Sequence, residues 1–140
     1  MEFIILPGAA ILLSVLIKNI ITQNTLDKIL EKYKGTPYKW GGTTPNGFDC
    51  SGFTQYVFKT YFNKTIPRVA AQQATFVTKT TNPKAGDLVF FATPGSNTIS
   101  HVGIYSGNNE MIHSGSSKGI EKVSLSNPYW AERLKFYGKI

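Results

Sequence analysis

A change of pattern at Asp49 limits the possible folds more than any other feature of the sequence. The run 41–47 is rich in glycine and proline, which mark turns. After it, Phe53, Val57 and Tyr61 are spaced four residues apart, as on the buried face of a helix. Asp49 stands at the position of an N-cap, so we expect Cys50, the only cysteine, in the first helical turn.

The position of Cys50 indicates a nucleophile. The partial positive charge of a helix N-terminus stabilises a thiolate and can lower a cysteine pKa from ~8.5 to roughly 3.5–7.5. We expect Gly52 to keep the approach to the sulfur open. The alternative is that Cys50 is a small, inert, buried side chain, as most lone cysteines are.

Composition restricts the class of protein. A length of 140 residues with 41% hydrophobic residues suits one globular domain. One cysteine excludes an intrachain disulfide, and with two histidines it makes a poor zinc set, so no metal or cofactor is predicted. The net charge of +7 favours an anionic partner, but the charges are scattered and no nucleic-acid motif is present. Nothing in the sequence indicates an oligomeric state.

The N-terminus is predicted to serve localisation. An almost unbroken apolar run extends from Phe3 to Ile17 and is followed by Lys18. This length suits a signal peptide, and extension through Ile21 would give a membrane anchor at residues 3–21. A core helix of the domain is the alternative, although the run lacks a polar face. We therefore predict a localising segment, 1–22, and a domain, 23–140, in the cell envelope or secreted.

The rest of the chain predicts an α+β fold. Asn24 followed by Asp27 indicates the start of a helix that Gly35 ends. A short helix is predicted over 69–76. Turn signals then separate short apolar runs that predict an antiparallel sheet, namely 88–92, 100–105, 110–113, 122–125 and 134–139.

Two histidines fall where this sheet could bring them together. His101 opens one predicted strand, His113 closes the next, and the link 106–109 is a plausible hairpin turn. The histidines would then lie roughly opposite each other. Such a pair suits a base, His101, with an orienting partner, His113, acting on Cys50.

Several motifs together resemble the NlpC/p-sixty family of cell-wall cysteine peptidases. The similarity runs over about residues 25–140, and the motifs that carry it are 37–42, 48–53, 66–68, 71–73, 84–91 and 101–107. The resemblance implies a papain-like α+β fold. It also implies cleavage of peptide stems in bacterial peptidoglycan, commonly at the γ-D-glutamyl–diaminopimelate bond.

The resemblance also implies roles for single residues. Cys50 would be the nucleophile, His101 the base, His113 the orienting residue, and Tyr38 an oxyanion donor beside the Cys50 N–H. The remaining implied roles are contact with the stem's free amino end for Asp49 and Ser51, a groove wall for Trp40, Gly41 and Gly42, and structural support for Arg68 and Gln72. Asp49 and Ser51 would otherwise be a helix cap and a first-turn residue.

Two other functions stay open at this point. The same residues could transfer an acyl group or split another amide, as in an antibacterial effector. A different class is a wall-binding module with an inert pocket, which would have no need of Cys50, His101 and His113 together.

Overall fold

The computed structural model describes residues 6–140. Four helices are present in this part of the chain: α1 (Pro7–Tyr33), α2 (Cys50–Phe62), α3 (Ala70–Phe76) and α4 (Pro128–Ala131). The strands are β1 (Thr43–Thr44), β2 (Gly47–Phe48), β3 (Thr78–Thr80), β4 (Leu88–Phe91), β5 (His101–Tyr105), β6 (Glu110–Gly115), β7 (Gly119–Ser124) and β8 (Leu134–Lys139).

The strands form one large antiparallel sheet beside a small hairpin. The six-stranded sheet has the order β3-β8-β4-β5-β6-β7, and β1 pairs with β2. Helix α2 packs across β5 and β6, and its Phe53 and Val57 are fully buried in a core with Leu88, Phe90 and Ile104. The predicted α+β class with an antiparallel sheet is confirmed.

Helix α1 differs from the prediction at its start. It is continuous from Pro7 to Tyr33, so the predicted helix start at Asn24 is wrong. The sequence has neither glycine nor proline between Gly8 and Gly35, and nothing local interrupts the helix there. The expected end is present: Gly35 has a φ of +84°, the left-handed conformation that glycine accepts readily.

The two halves of α1 have different environments. Leu26, Ile29 and Tyr33 are buried against the domain. Apolar side chains earlier in the helix are exposed, with 66% for Ile11 and 60% for Ile20, so this half does not form a core helix. Residues 3–5 of the predicted apolar run lie outside the described residues.

By length and composition, α1 could cross a membrane. Its most apolar window has a mean hydropathy of 1.4, and no other helix within residues 6–140 passes the same test. A signal sequence near an N-terminus has the same composition.

Candidate active site

Cys50 is the first residue of α2, as predicted. The Asp49 carboxylate caps the helix by accepting a hydrogen bond of 2.6 Å from the Gly52 N–H. Cys50 is 9% exposed, and the backbone N–H of Val102 in β5 is close enough to its sulfur to favour the thiolate. The sulfur therefore lies beside the strand that begins with His101.

The predicted lowering of the Cys50 pKa is wrong in direction. Burial raises the pKa of this thiol, and the charge of Asp49 adds to the increase. The N–H groups of Val102, Ser51 and Cys50 itself act the other way but do not outweigh burial. Cys50 is therefore a neutral thiol in the resting site at neutral pH.

His101 and His113 form a hydrogen-bonded pair. His101 Nε2 lies 2.8 Å from His113 Nδ1, and the rings meet edge to face. Burial lowers the pKa of His101 to about 4. Burial, together with the charge of His101, lowers the pKa of His113 to about 3. Both imidazoles are therefore neutral at pH 7.

An aromatic wall that the sequence did not reveal surrounds this pair. The Trp130 ring in α4 stacks on His101 with centroids 4.9 Å apart and meets His113 edge-on at 5.0 Å. Phe91 at the end of β4 packs against both His101 and Trp130. These contacts restrict rotation of the His101 ring. The only local signal for this wall is Asn127-Pro128, a pair typical of a helix start. It does not indicate which residues the helix contacts.

Tyr38 borders the same site. An isolated bridge to Phe48 holds its backbone, and its side chain lines the cavity that contains Cys50. Burial raises the Tyr38 pKa, and the nearby Cys50 and Asp49 raise it further, so the hydroxyl keeps its proton at neutral pH. Trp40 and Gly41 do not line this cavity, and Trp40 is 89% exposed.

Asp49 and Ser51 belong to a polar cluster organised by Arg68. The Arg68 guanidinium contacts both Asp49 oxygens, at 3.1 and 2.7 Å, and Ser51 Oγ at 3.0 Å. Burial opposes ionisation of Asp49, but Arg68 and the Gly52 N–H outweigh it and lower the pKa. Arg68 thus gives the structural support that was expected of it. The same role expected of Gln72, which is exposed, belongs to the buried Gln73, whose side chain donates to the Ser51 carbonyl.

Gly52 has a packing role that the sequence analysis did not predict, whereas its expected role in access to the sulfur stays a prediction. A Cβ on Gly52 would overlap the carbonyl oxygen of Gly42 in the loop before β1. Gly52 thus permits this loop to pack on the start of α2, and the Asp49 N–H donates to the same Gly42 oxygen at 3.0 Å.

These groups meet at a cavity of about 540 Å³. It brings together Tyr38, Cys50, His101 and His113, and its other lining residues are Phe91, Ala92, Thr93, Ser100, Gly115, Ser116, Ser117, Lys118, Glu121, Asn127, Tyr129, Trp130 and Arg133. Within residues 6–140, no three His, Cys, Asp or Glu side chains are grouped as metal ligands would be. The available chemistry is that of a thiol beside a histidine pair.

An α+β protein in which a helix-start cysteine packs against a histidine-bearing antiparallel sheet has a papain-like fold. Residues 35–138 match the model of the NlpC/P60 family. The chain is a member of that family, and the resemblance inferred from the motifs is confirmed.

Known proteins agree with this assignment. The chain is 43% identical over 111 residues to the probable endopeptidase NlpC of Escherichia coli K12, covering 78% of this chain and 72% of NlpC. It is 36% identical over 120 residues to the murein DD-endopeptidase/LD-carboxypeptidase MepS of the same strain, covering 84% of this chain and 63% of MepS. A crystal structure of an NlpC/P60 protein from Bacillus cereus matches with a TM-score of 0.76 and 33% identity, covering 84% of this chain and 39% of that one.

Proposed function

We propose that this protein is a peptidoglycan endopeptidase that hydrolyses an amide bond of the stem peptide through an acyl-enzyme on Cys50. The observation that carries the proposal is that Cys50 and the hydrogen-bonded pair of His101 and His113 border one open cavity. The names of two relatives, a murein DD-endopeptidase and a probable peptidoglycan endopeptidase, support the substrate class.

The pKa directions favour general-base catalysis. Cys50 starts as a thiol and His101 as a neutral imidazole, because burial disfavours the charged form of each. His101 Nδ1, the nitrogen not bonded to His113, takes the thiol proton as the sulfur attacks the carbonyl carbon. The same proton then passes to the leaving amine, leaving a thioester. Water attacks the thioester with His101 as base again, which releases the acid and restores the thiol.

Two donors are suited to stabilise the oxyanion. The Cys50 N–H lies in the first turn of α2, where helix geometry supplies no acceptor for it. The Tyr38 hydroxyl remains protonated because burial raises its pKa. Each donor of this kind contributes about 10²–10³ in rate.

We propose that further residues at and beside the cavity bind the stem. Asp49, kept ionised by Arg68, and the buried Ser51 do not line the cavity itself and would contact the free amino end of the stem next to it. The positive charge of Lys118 at the cavity suits the carboxylates of the stem. Trp40 and Gly41 would contact substrate beyond the cavity, since Trp40 is 89% exposed.

We propose the γ-D-glutamyl–diamino acid bond as the one that is cut. Mass spectrometry of muropeptides tests this directly, because cleavage of a DD cross-link gives different product masses. Cys50→Ala and His101→Ala should abolish cleavage with the fold intact, His113→Ala should retain more activity, and the exposed α2 variant Thr60→Ala should match the wild type. Undiminished cleavage by Cys50→Ala would refute the mechanism.

We also propose that the exposed half of α1 lies in a membrane, as an uncleaved anchor or a signal segment. Thr22 and Gln23 lie against Gly86 and Gly107 at one end of the sheet. Gly35, two residues past the end of α1, donates a hydrogen bond to the Ile120 carbonyl near the active site. At 1.5 Å per residue, this helix would hold the site about 20 Å from the point where the chain leaves the bilayer. Resistance of the full chain to alkaline carbonate extraction from membranes tests the anchor.

A further inference from the structure

One polar atom of the histidine pair has no partner. His113 is 2% exposed, and its Nδ1 faces His101, but its Nε2 is buried without a hydrogen bond among the described residues. An orphaned buried nitrogen of this kind is costly in a folded protein. The Glu121 carboxylate lies 4.0 Å from this nitrogen and is 23% exposed.

The sheet aims Glu121 at His113. The two residues are directly paired between β6 and β7, so their side chains share one face. Gly115 is the next residue of β6 on that face, and a Cβ there would come within 3.2 Å of both His113 Nε2 and Glu121 Oε2. The absence of a side chain at position 115 therefore leaves the path between them clear. A small rotation of Glu121 would bring its oxygen within hydrogen-bond distance.

The direction of the bond between the histidines decides whether His101 can act as a base. A neutral imidazole carries one N–H and one acceptor nitrogen. If His101 Nε2–H donates to His113 Nδ1, then His101 Nδ1 is free to take the Cys50 proton. If His113 donates instead, His101 carries its proton on Nδ1 and cannot accept another there while neutral. The productive arrangement requires His113 to carry its proton on Nε2.

We propose that Glu121 is a positioning residue of this site, whose carboxylate accepts a hydrogen bond from His113 Nε2–H and so selects the productive tautomer of both histidines. An ionised carboxylate only accepts hydrogen bonds, so it excludes the tautomer with a bare Nε2. The inference rests on the proposed function, because it assigns Glu121 to the same catalytic unit. Placing a triad histidine in the wrong tautomer costs about 10⁴ in kcat in serine proteases.

Glu121 also places a carboxylate 4.0 Å from the Nε2 of His113. The titratable and charged groups that face the histidines across the cavity are Tyr38, Cys50, Lys118, Glu121 and Arg133. A carboxylate favours the imidazolium that forms during catalysis, whereas Lys118 and Arg133 oppose it. Removing the Glu121 charge should therefore move the acidic limb of the activity profile to lower pH.

Nitrogen NMR of the full chain in detergent tests the tautomer without substrate. The chain has two histidines, so ¹⁵N-histidine labelling gives two ring systems, and His113→Gln assigns them. We expect both rings to carry the proton on Nε2 in the wild type. Glu121→Gln keeps the shape but adds a donor, so it should give a mixture of tautomers. A wild-type His113 protonated on Nδ1 would overturn the proposal.

Kinetics on a defined stem peptide provide the second test. Glu121→Gln and Glu121→Ala should lower kcat by about 10-fold to 100-fold, less than the 10⁴-fold cost of a wholly wrong tautomer because part of the population keeps the productive one. KM should change little, and the acidic limb should move to lower pH. The control is Glu110→Gln, which removes a carboxylate from the same strand pair, 4.0 Å from Lys122, and should match the wild type.

The outcomes separate the two ideas. Unchanged tautomers and kcat in Glu121→Ala would refute the role of Glu121 while leaving the endopeptidase proposal intact. Cleavage of muropeptides by Cys50→Ala would refute the endopeptidase mechanism, whatever the NMR of the histidines shows.

Discussion

The buried histidine pair should make the stability of the protein depend on pH. Both imidazoles have an ordinary pKa of 6.5, and burial lowers it to about 4 for His101 and about 3 for His113. Below pH 6.5 the unfolded chain therefore binds protons that the folded protein does not. The stability that comes from keeping both histidines neutral is fully present above pH 6.5. It decreases as the pH falls from 6.5 towards the folded-state pKa values.

The expected size follows from these pKa values. Each pH unit over which only the unfolded state is protonated is worth about 1.36 kcal/mol for each histidine. Between pH 7 and pH 4.5 this gives roughly 2–2.5 kcal/mol for one histidine and at most about 5 kcal/mol for both. The double variant His101→Gln/His113→Gln removes every histidine from the chain. Between pH 7 and pH 4.5 the double variant should lose less unfolding free energy than the wild type, and the two losses should differ by at most about 5 kcal/mol.

Urea unfolding in nonionic detergent, followed by tryptophan fluorescence at several pH values, measures the effect. Absolute stability at pH 7 will also change in the variant, because the 2.8 Å histidine bond and the stacking on Trp130 are lost. Only the change in unfolding free energy between pH 7 and 4.5 tests the argument, since the substitutions leave every carboxylate of the chain in place. Equal losses in the two proteins would show that burial does not hold the histidines neutral.

Three further perturbations have definite expected outcomes. Gly52→Ala should destabilise the protein by about 1–3 kcal/mol in chemical denaturation, because the new Cβ meets the Gly42 carbonyl. This holds although alanine is the better helix former by roughly 1 kcal/mol. A stabilised variant would contradict this packing. Tyr38→Phe should lower the single-turnover acylation rate about 10²-fold with little effect on substrate binding, and an unchanged rate would reduce Tyr38 to a lining aromatic. A chain beginning at Gln23 should keep a cooperative thermal transition and its activity, because the removed apolar side chains are exposed, as Ile11 is at 66%; aggregation of that chain without detergent would contradict this.

Local signals in the sequence were sufficient for the parts of the fold that depend on neighbouring residues. The Asp49 cap and the periodicity after it located α2 and placed Cys50 at its first residue. The predicted hairpin at 106–109 pairs β5 with β6, and His101 and His113 are in contact in the folded protein. Caps, turns and strand alternation act over a few residues, so a single sequence displays them directly.

Other features were decided only by tertiary packing. The sign of the Cys50 pKa change depends on how much protein covers the sulfur, and burial there outweighs the helix terminus that the sequence revealed. Trp130 reaches His101 from a four-residue helix that has no periodicity to predict it. Glu121 faces His113 only because β6 and β7 pair in one register, and a shift of one residue would turn it to the other face of the sheet. Desolvation and cross-strand contacts involve residues that are far apart in the chain. Their energies therefore depend on the folded structure and cannot be inferred from neighbouring residues.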